Sequence, residues 1–213
     1  MSQQNLARRE REALCDLMLE VGPEAPTLCG PWTTRDLAAH LVLREGRPDA
    51  AGGILIAALA SYTAKVQGQI AARQWPDLIT TLRSGPPRWS PQSIERLDVE
   101  SNTVEFFVHH EDVRRAVDPW VVRDLSADDS AQLWPRVGRI GKLLLRRCSS
   151  GVIVRPTDGP AAGTSVRLRA GSTDVTLDGP VGEIVLALFG RTTAGLEMPG
   201  SAADVAAFLA FPR

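Results

Sequence analysis

Leu6, Leu14, Leu17, Met18 and Val21 recur at helical spacing among charged residues. They predict an amphipathic helix over about 3–21, ended by Gly22-Pro23. A loop from Pro26 to Trp32 follows. Thr33 and Asp36 then form a Thr-x-x-Asp capping signature, opening a helix with Leu37, Ala38, Leu41 and Val42 on its apolar face. A third helix is expected over about 50–72, and Ser84 to Pro91 reads as a loop. A long helix over about 92–117 stops at Asp118-Pro119, because a residue before proline is pushed out of helical conformation. Leu133, Val137, Ile140 and Leu144 mark one more helix, over about 127–148.

After Ser149-Ser150-Gly151 the period changes from helical to alternating. Val152 to Arg155, Ser165 to Arg169 and Asp174 to Leu177 are short strand-like runs between glycine-rich turns. Pro180 starts a helix through Leu188, and Ser201 with Asp204 opens a last one ending near Phe211. The chain is therefore expected to be mainly α: a helical bundle over 1–150, then a small α+β domain over 151–213. No internal repeat or low-complexity tract is visible.

Composition narrows the function classes. The 213 residues are 44% hydrophobic and 23% charged, as in an ordinary globular protein, and the formal net charge is -1. Positive and negative side chains balance in both halves, so the basic excess of a nucleic-acid binder is missing. The polar N-terminus does not read as a signal peptide, and the apolar run from Ala50 to Ala60 is too short to span a bilayer. Three scattered cysteines, Cys15, Cys29 and Cys148, do not make a disulfide framework. A reducing cytoplasm is the expected setting.

Histidine is the informative residue. Two of the three histidines stand in the phrase Glu105-Phe106-Phe107-Val108-His109-His110-Glu111-Asp112; the third, His40, lies on the second predicted helix. Glu105 and His109 are one helical turn apart and share a face. On a projection at about 100° per residue, Ile94, Leu97, Val104 and Val108 fall in one arc. Glu105 and His109 lie at its edge and His110 on the far side, which selects His109 as the inward imidazole. One carboxylate and two imidazoles can form an open three-ligand metal site. The same spacing also suits a semi-buried Glu–His hydrogen-bonded pair, with His40 a core or capping histidine. Asp112 lies near the inward arc, either beside the metal or paired with Arg114 or Arg115. Cys29 precedes a helix start, where the dipole lowers a thiol pKa, but Gly30-Pro31 beside it reads as turn chemistry and favours a structural role.

Three phrases together resemble one family. They are Leu28-Cys29-Gly30-Pro31-Trp32-Thr33-Thr34-Arg35-Asp36-Leu37-Ala38-Ala39-His40-Leu41, the stretch from Glu105 to Ala116, and Leu177-Asp178-Gly179-Pro180 with Leu186 to Arg191. The chain resembles the mycothiol-dependent maleylpyruvate isomerase family, within the wider DinB-like metal-binding bundles. The resemblance implies a DinB-like up-down four-helix bundle followed by a small α+β domain. It also implies zinc, or another divalent metal, on His40, Glu105 and His109, and mycothiol, a thiol of actinobacteria, as cosubstrate. Zinc would hold the thiol as thiolate at neutral pH. The thiolate would add to an activated double bond, the single bond would rotate, and elimination would give the trans isomer. An arginine would hold the substrate carboxylates, with Arg191 the candidate; a helix-end role at the dipole is its alternative.

The expected function is thus a zinc- and thiol-dependent isomerase or thiol transferase acting on a small electrophile. Two other classes fit the same ligands. A non-catalytic metal-binding or regulatory module would have a closed site, and a metal-dependent hydrolase would need a general base such as Asp112.

Overall fold

The computed structural model describes residues 5–54, 56–90 and 93–212. The chain divides into two compact units, Met1–Val121 and Val122–Arg213. In the first unit the helices are α1 (Leu6–Val21), α2 (Thr34–Gly46), the single turn α3 (Pro48–Ala51), α4 (Ala60–Ala71), α5 (Trp75–Ser84) and α6 (Glu95–Arg114). The expected starts at 3 and 92 fall outside the described residues.

Local chemistry sets the ends of these helices. Asn5 caps α1 by accepting from the Arg8 N–H at 2.9 Å. Gly22, at φ 84°, ends that helix in a conformation open to glycine. Thr33 and Asp36 make the reciprocal capping box that opens α2. The helix expected over 50–72 is broken. Its first part is α3 and two 3-10 turns, Gly52–Ile54 and Ala57–Leu59, and only then does α4 begin. The chain folds tightly there, since a Cβ on Gly53 would collide with Thr63 Oγ1 and the Leu59 carbonyl. Helix α5 lies between the third helix and the loop that the sequence predicts, in a stretch without a long helical period. It buries Leu78, Ile79 and Leu82, begins with Pro76 in its first turn and ends at Gly85.

Helices α1 and α6 pack along their lengths, α2 packs on α4, and α5 contacts α1 and α2. Leu14 and Met18 of α1, Leu37 and Leu41 of α2, Ile70 of α4, Leu78 and Leu82 of α5, and Phe106 of α6 fill one core. The apolar arc drawn for α6 needs correction. Ile94 and Leu97 are exposed, at 58% and 46%, while Phe106, Phe107 and Val113 are buried. The central turns of α6 are covered on more than one side, so a single stripe does not describe them.

The second unit contains α7 (Ala127–Leu144), β1 (Gly151–Pro156), β2 (Val166–Arg169), β3 (Asp174–Gly179), α8 (Val181–Leu188) and α9 (Ala202–Ala210). The sheet order is β2-β1-β3. β1 is antiparallel to β2 and parallel to β3, with Val152 opposite Val175 and Val154 opposite Leu177. Every residue of α8 is buried. The strand pattern suggests a break after Ser150, but α7 packs on α8 and β2. Gly141 admits Leu168 and Leu188 where a Cβ would sit. Asp158 ties the unit together, accepting from Ser130 Oγ of α7 at 2.9 Å and from the Val181 N–H of α8 at 2.8 Å. Among the described residues, no helix is long and apolar enough to cross a membrane.

Candidate metal centre

The capping box fixes the start of α2 and so the height of His40, which lies two turns in and is 7% exposed. Trp32, just before the cap, lies beside it with ring centroids 5.0 Å apart. Helix α6 presents Glu105 and His109 one turn apart to the same place. Glu105 Oε1 is 3.3 Å from His109 Nε2 and 3.7 Å from His40 Nε2. Nitrogen and oxygen donors bound tetrahedrally to one small divalent ion stand roughly 3.3 Å apart, given bonds of about 2.0–2.2 Å. The three donors therefore fit such an ion with only small adjustment, and they form one of two groups of metal-type ligands among the described residues.

The carboxylate is held in its charged form. Burial pushes the Glu105 carboxyl up. The His109 and His40 imidazoles beside it, with the nearby Arg44 charge, outweigh that and hold it well below the usual carboxylate range. Burial likewise pushes the His109 imidazole down, but Asp112, Cys29 and Glu105 outweigh it and hold it well above its ordinary value. A hard ligand that stays ionised at neutral pH is what a divalent cation requires.

Around His40, Glu105 and His109 runs a supporting set of polar contacts. Arg44, one turn after His40, brings Nε within 3.3 Å of Glu105 Oε1 and donates to the Ser101 carbonyl at 3.0 Å and to Asn102 Oδ1. Asn102 donates to Glu45 at 2.7 Å and to Asp98 at 2.6 Å. Glu45 in turn receives a bidentate pair from the buried Arg11 of α1, at 2.6 and 2.7 Å. Burial of these charges is tolerable because each is paired.

On its other nitrogen His109 meets Asp112, with Nδ1 2.9 Å from Oδ2. Asp112 is fully buried and also receives the Cys29 thiol at 3.0 Å. So Cys29, expected to be structural, belongs to the edge of this centre. The loop carrying it is pinned to α6 by the Leu28 N–H on the Asp112 carbonyl at 3.0 Å. The expected alternative partners of Asp112 are occupied elsewhere. Arg114 and Arg115 both bond Glu111, and Arg115 lies 4.5 Å over the Trp120 ring. His110 is buried as well, paired at 2.7 Å with Glu10 of α1 rather than facing solvent. Arg191 lies in the second unit, just beyond α8, and donates to the Phe189 carbonyl at 2.9 Å.

No protein-family model matches the sequence, and no curated protein matches it significantly. Solved structures do match the fold. A crystal structure of the mycothiol-dependent maleylpyruvate isomerase superposes with a TM-score of 0.51 at 16% identity, over 91% of this chain and 90% of that one. A histidine-to-alanine mutant of that enzyme matches over the same shares, with a TM-score of 0.55 at 14% identity. At these identities the likeness speaks to architecture, and the chain has the fold of the mycothiol-dependent maleylpyruvate isomerase.

Proposed function

We infer that this chain is a divalent-metal protein, with zinc the expected ion, that acts with a small thiol of the mycothiol type on a small electrophile. The observation that carries the reading is the convergence of His40, Glu105 and His109 on one point from two helices. A divalent ion held there supplies the Lewis acidity that keeps a thiol ionised at neutral pH. The protein's own residues do the positioning. Asp112 fixes the ring of His109, so that Nε2 is aimed at the site. Arg44 offsets the charge of Glu105 and holds its carboxylate in place.

Isomerisation of a cis double bond conjugated to a carbonyl is the reaction that fits the named structural relatives. The thiol adds, the bond rotates, and the thiol leaves unchanged. A hydrolytic reading is less well supported, because its candidate base, Asp112, is fully buried and engaged by His109 and Cys29. A cytoplasmic setting accords with three cysteines that form no disulfide with one another.

Metal analysis of the purified protein tests the first half of the reading. His40→Ala, Glu105→Ala and His109→Ala are each expected to lose at least 10-fold in metal content relative to wild type. Full retention in all three would remove the basis of the proposal. The second half is tested by following loss of an electrophile such as a cis enedione or maleyl compound with and without added thiol. Turnover that ignores both thiol and metal would overturn it.

A further inference from the structure

His109 has two ring nitrogens, and each faces its own set of metal-type donors. Nε2 faces Glu105 and His40. Nδ1 faces a second trio: Cys29 Sγ lies 3.6 Å from Nδ1 and 3.0 Å from Asp112 Oδ2, and Nδ1 and Oδ2 are 2.9 Å apart. A tetrahedral ion with one sulfur, one nitrogen and one oxygen ligand would set these atoms roughly 3.3–3.6 Å apart, from bonds of about 2.3 Å to sulfur and 2.0–2.2 Å to the others. The observed triangle needs to open by only a few tenths of an ångström at two edges.

From this geometry we propose a second cation site, made by Cys29, Asp112 and His109 Nδ1, that takes a thiophilic divalent ion and uses the His109 ring as a bridge to the first site. On binding, the Cys29 S–H proton passes to solvent as the metal–sulfur bond forms, and the Nδ1–H proton passes to solvent as the metal–nitrogen bond forms, leaving His109 an imidazolate when Nε2 also holds an ion; nothing is oxidised or reduced. With both ions bound, the Cys29 thiolate, the Asp112 and Glu105 carboxylates and the His109 imidazolate balance the four positive charges, so the pair of sites is neutral in a buried place. The sulfur makes this site softer than the first, whose donors are two imidazoles and a carboxylate.

The site is preorganised by contacts that do not involve the donors. Thr27 Oγ1 donates to the Trp32 carbonyl at 2.8 Å and accepts from the Cys29 N–H at 3.1 Å. The Leu28 N–H holds the loop to the backbone of α6 at Asp112. Cys29 is half-buried, whereas Cys15 and Cys148 are buried, so the ion has an approach to this thiol and not to the other two. The cation site on the second trio stands apart from the functional reading, because neither His40 nor Glu105 belongs to it, while the bridging role of His109 rests on that reading.

Titration of the full chain with Co(II), then Cd(II), decides the matter. Wild type should bind two ions per chain, with a thiolate-to-metal charge-transfer band growing in as the softer site fills. That band should persist in His40→Ala, which disables only the first site. It should vanish in Cys29→Ser and after alkylation of Cys29 in folded wild-type protein, the second treatment serving if the variant does not fold. Two outcomes overturn the proposal. One is a single bound ion at saturation with no thiolate band, which makes the trio a hydrogen-bonded support for His109. The other is a band that survives alkylation of Cys29, which places the sulfur elsewhere. If the band is present in wild type but the purified protein shows no dependence of metal content on His40 or Glu105, the functional reading fails while the second site stands.

Discussion

His109 and His110 are neighbours in sequence and serve different ends. The first faces α2 and the Cys29 loop, the second closes a buried pair with Glu10 of α1. The spacing of Glu105 and His109 marked a shared helix face, and the family resemblance around His40 completed the proposed ligand set. The partnership of Cys29 with Asp112 was not legible, because 83 residues separate them and only the loop's attachment to α6 brings them together. The Arg11–Glu45 pair was hidden for a related reason: polar residues on an amphipathic pattern read as solvent-facing until their partners are known. Cys15 offers a test at this scale. Burial pushes its thiol from an ordinary 9.0 up to about 12. Above pH 9 the unfolded chain therefore loses that proton while the folded chain keeps it. The contribution is complete below about pH 9 and is lost as pH rises, by about 1.4 kcal/mol at pH 10. Urea unfolding at pH 8 and pH 10 should show this drop in wild type, reduced in Cys15→Ala; equal drops in both would refute the assignment.

Among the elements, those with caps and long periods were readable and short ones were not. The Thr33–Asp36 box, the strands of the second unit and the Ser201 cap all stand where the sequence signals place them. Helix α5, at ten residues, offers too few turns for a period to emerge, although Pro76 and Gly85 were present as punctuation. The break before α4 depends on a close backbone approach at Gly53, which no local pattern encodes. Because the Thr33 cap sets the start of the helix that carries His40, its removal should be felt twice. Thr33→Ala is expected to cost about 1 kcal/mol of stability. It should also weaken metal binding, whereas Ser201→Ala, a cap on α9 in the second unit, should leave metal affinity unchanged. Measuring both in a zinc competition assay checks this, and equal effects would contradict it.

For the whole molecule, the sequence conveyed the class, a helical bundle ahead of a small α+β module, and missed where α7 belongs. That helix has the amphipathic pattern of a bundle member, but its apolar face meets α8 and β2. A periodic stripe tells that a face is buried and not against what. Metal binding should register as global stability of the folded chain. At a free zinc concentration 100 times its dissociation constant, unfolding is expected to become harder by about 2.7 kcal/mol. His40→Ala should show little of that gain at the same concentration, and an unchanged denaturation midpoint in wild type would count against a metal protein. The run of contacts from Arg11 through Glu45, Asn102 and Arg44 to Glu105 has a consequence for anyone wishing to transplant this centre. Copying His40, Glu105 and His109 into another bundle would reproduce the spacing but leave the carboxylate without its cationic neighbour. The portable piece is seven residues on three helices.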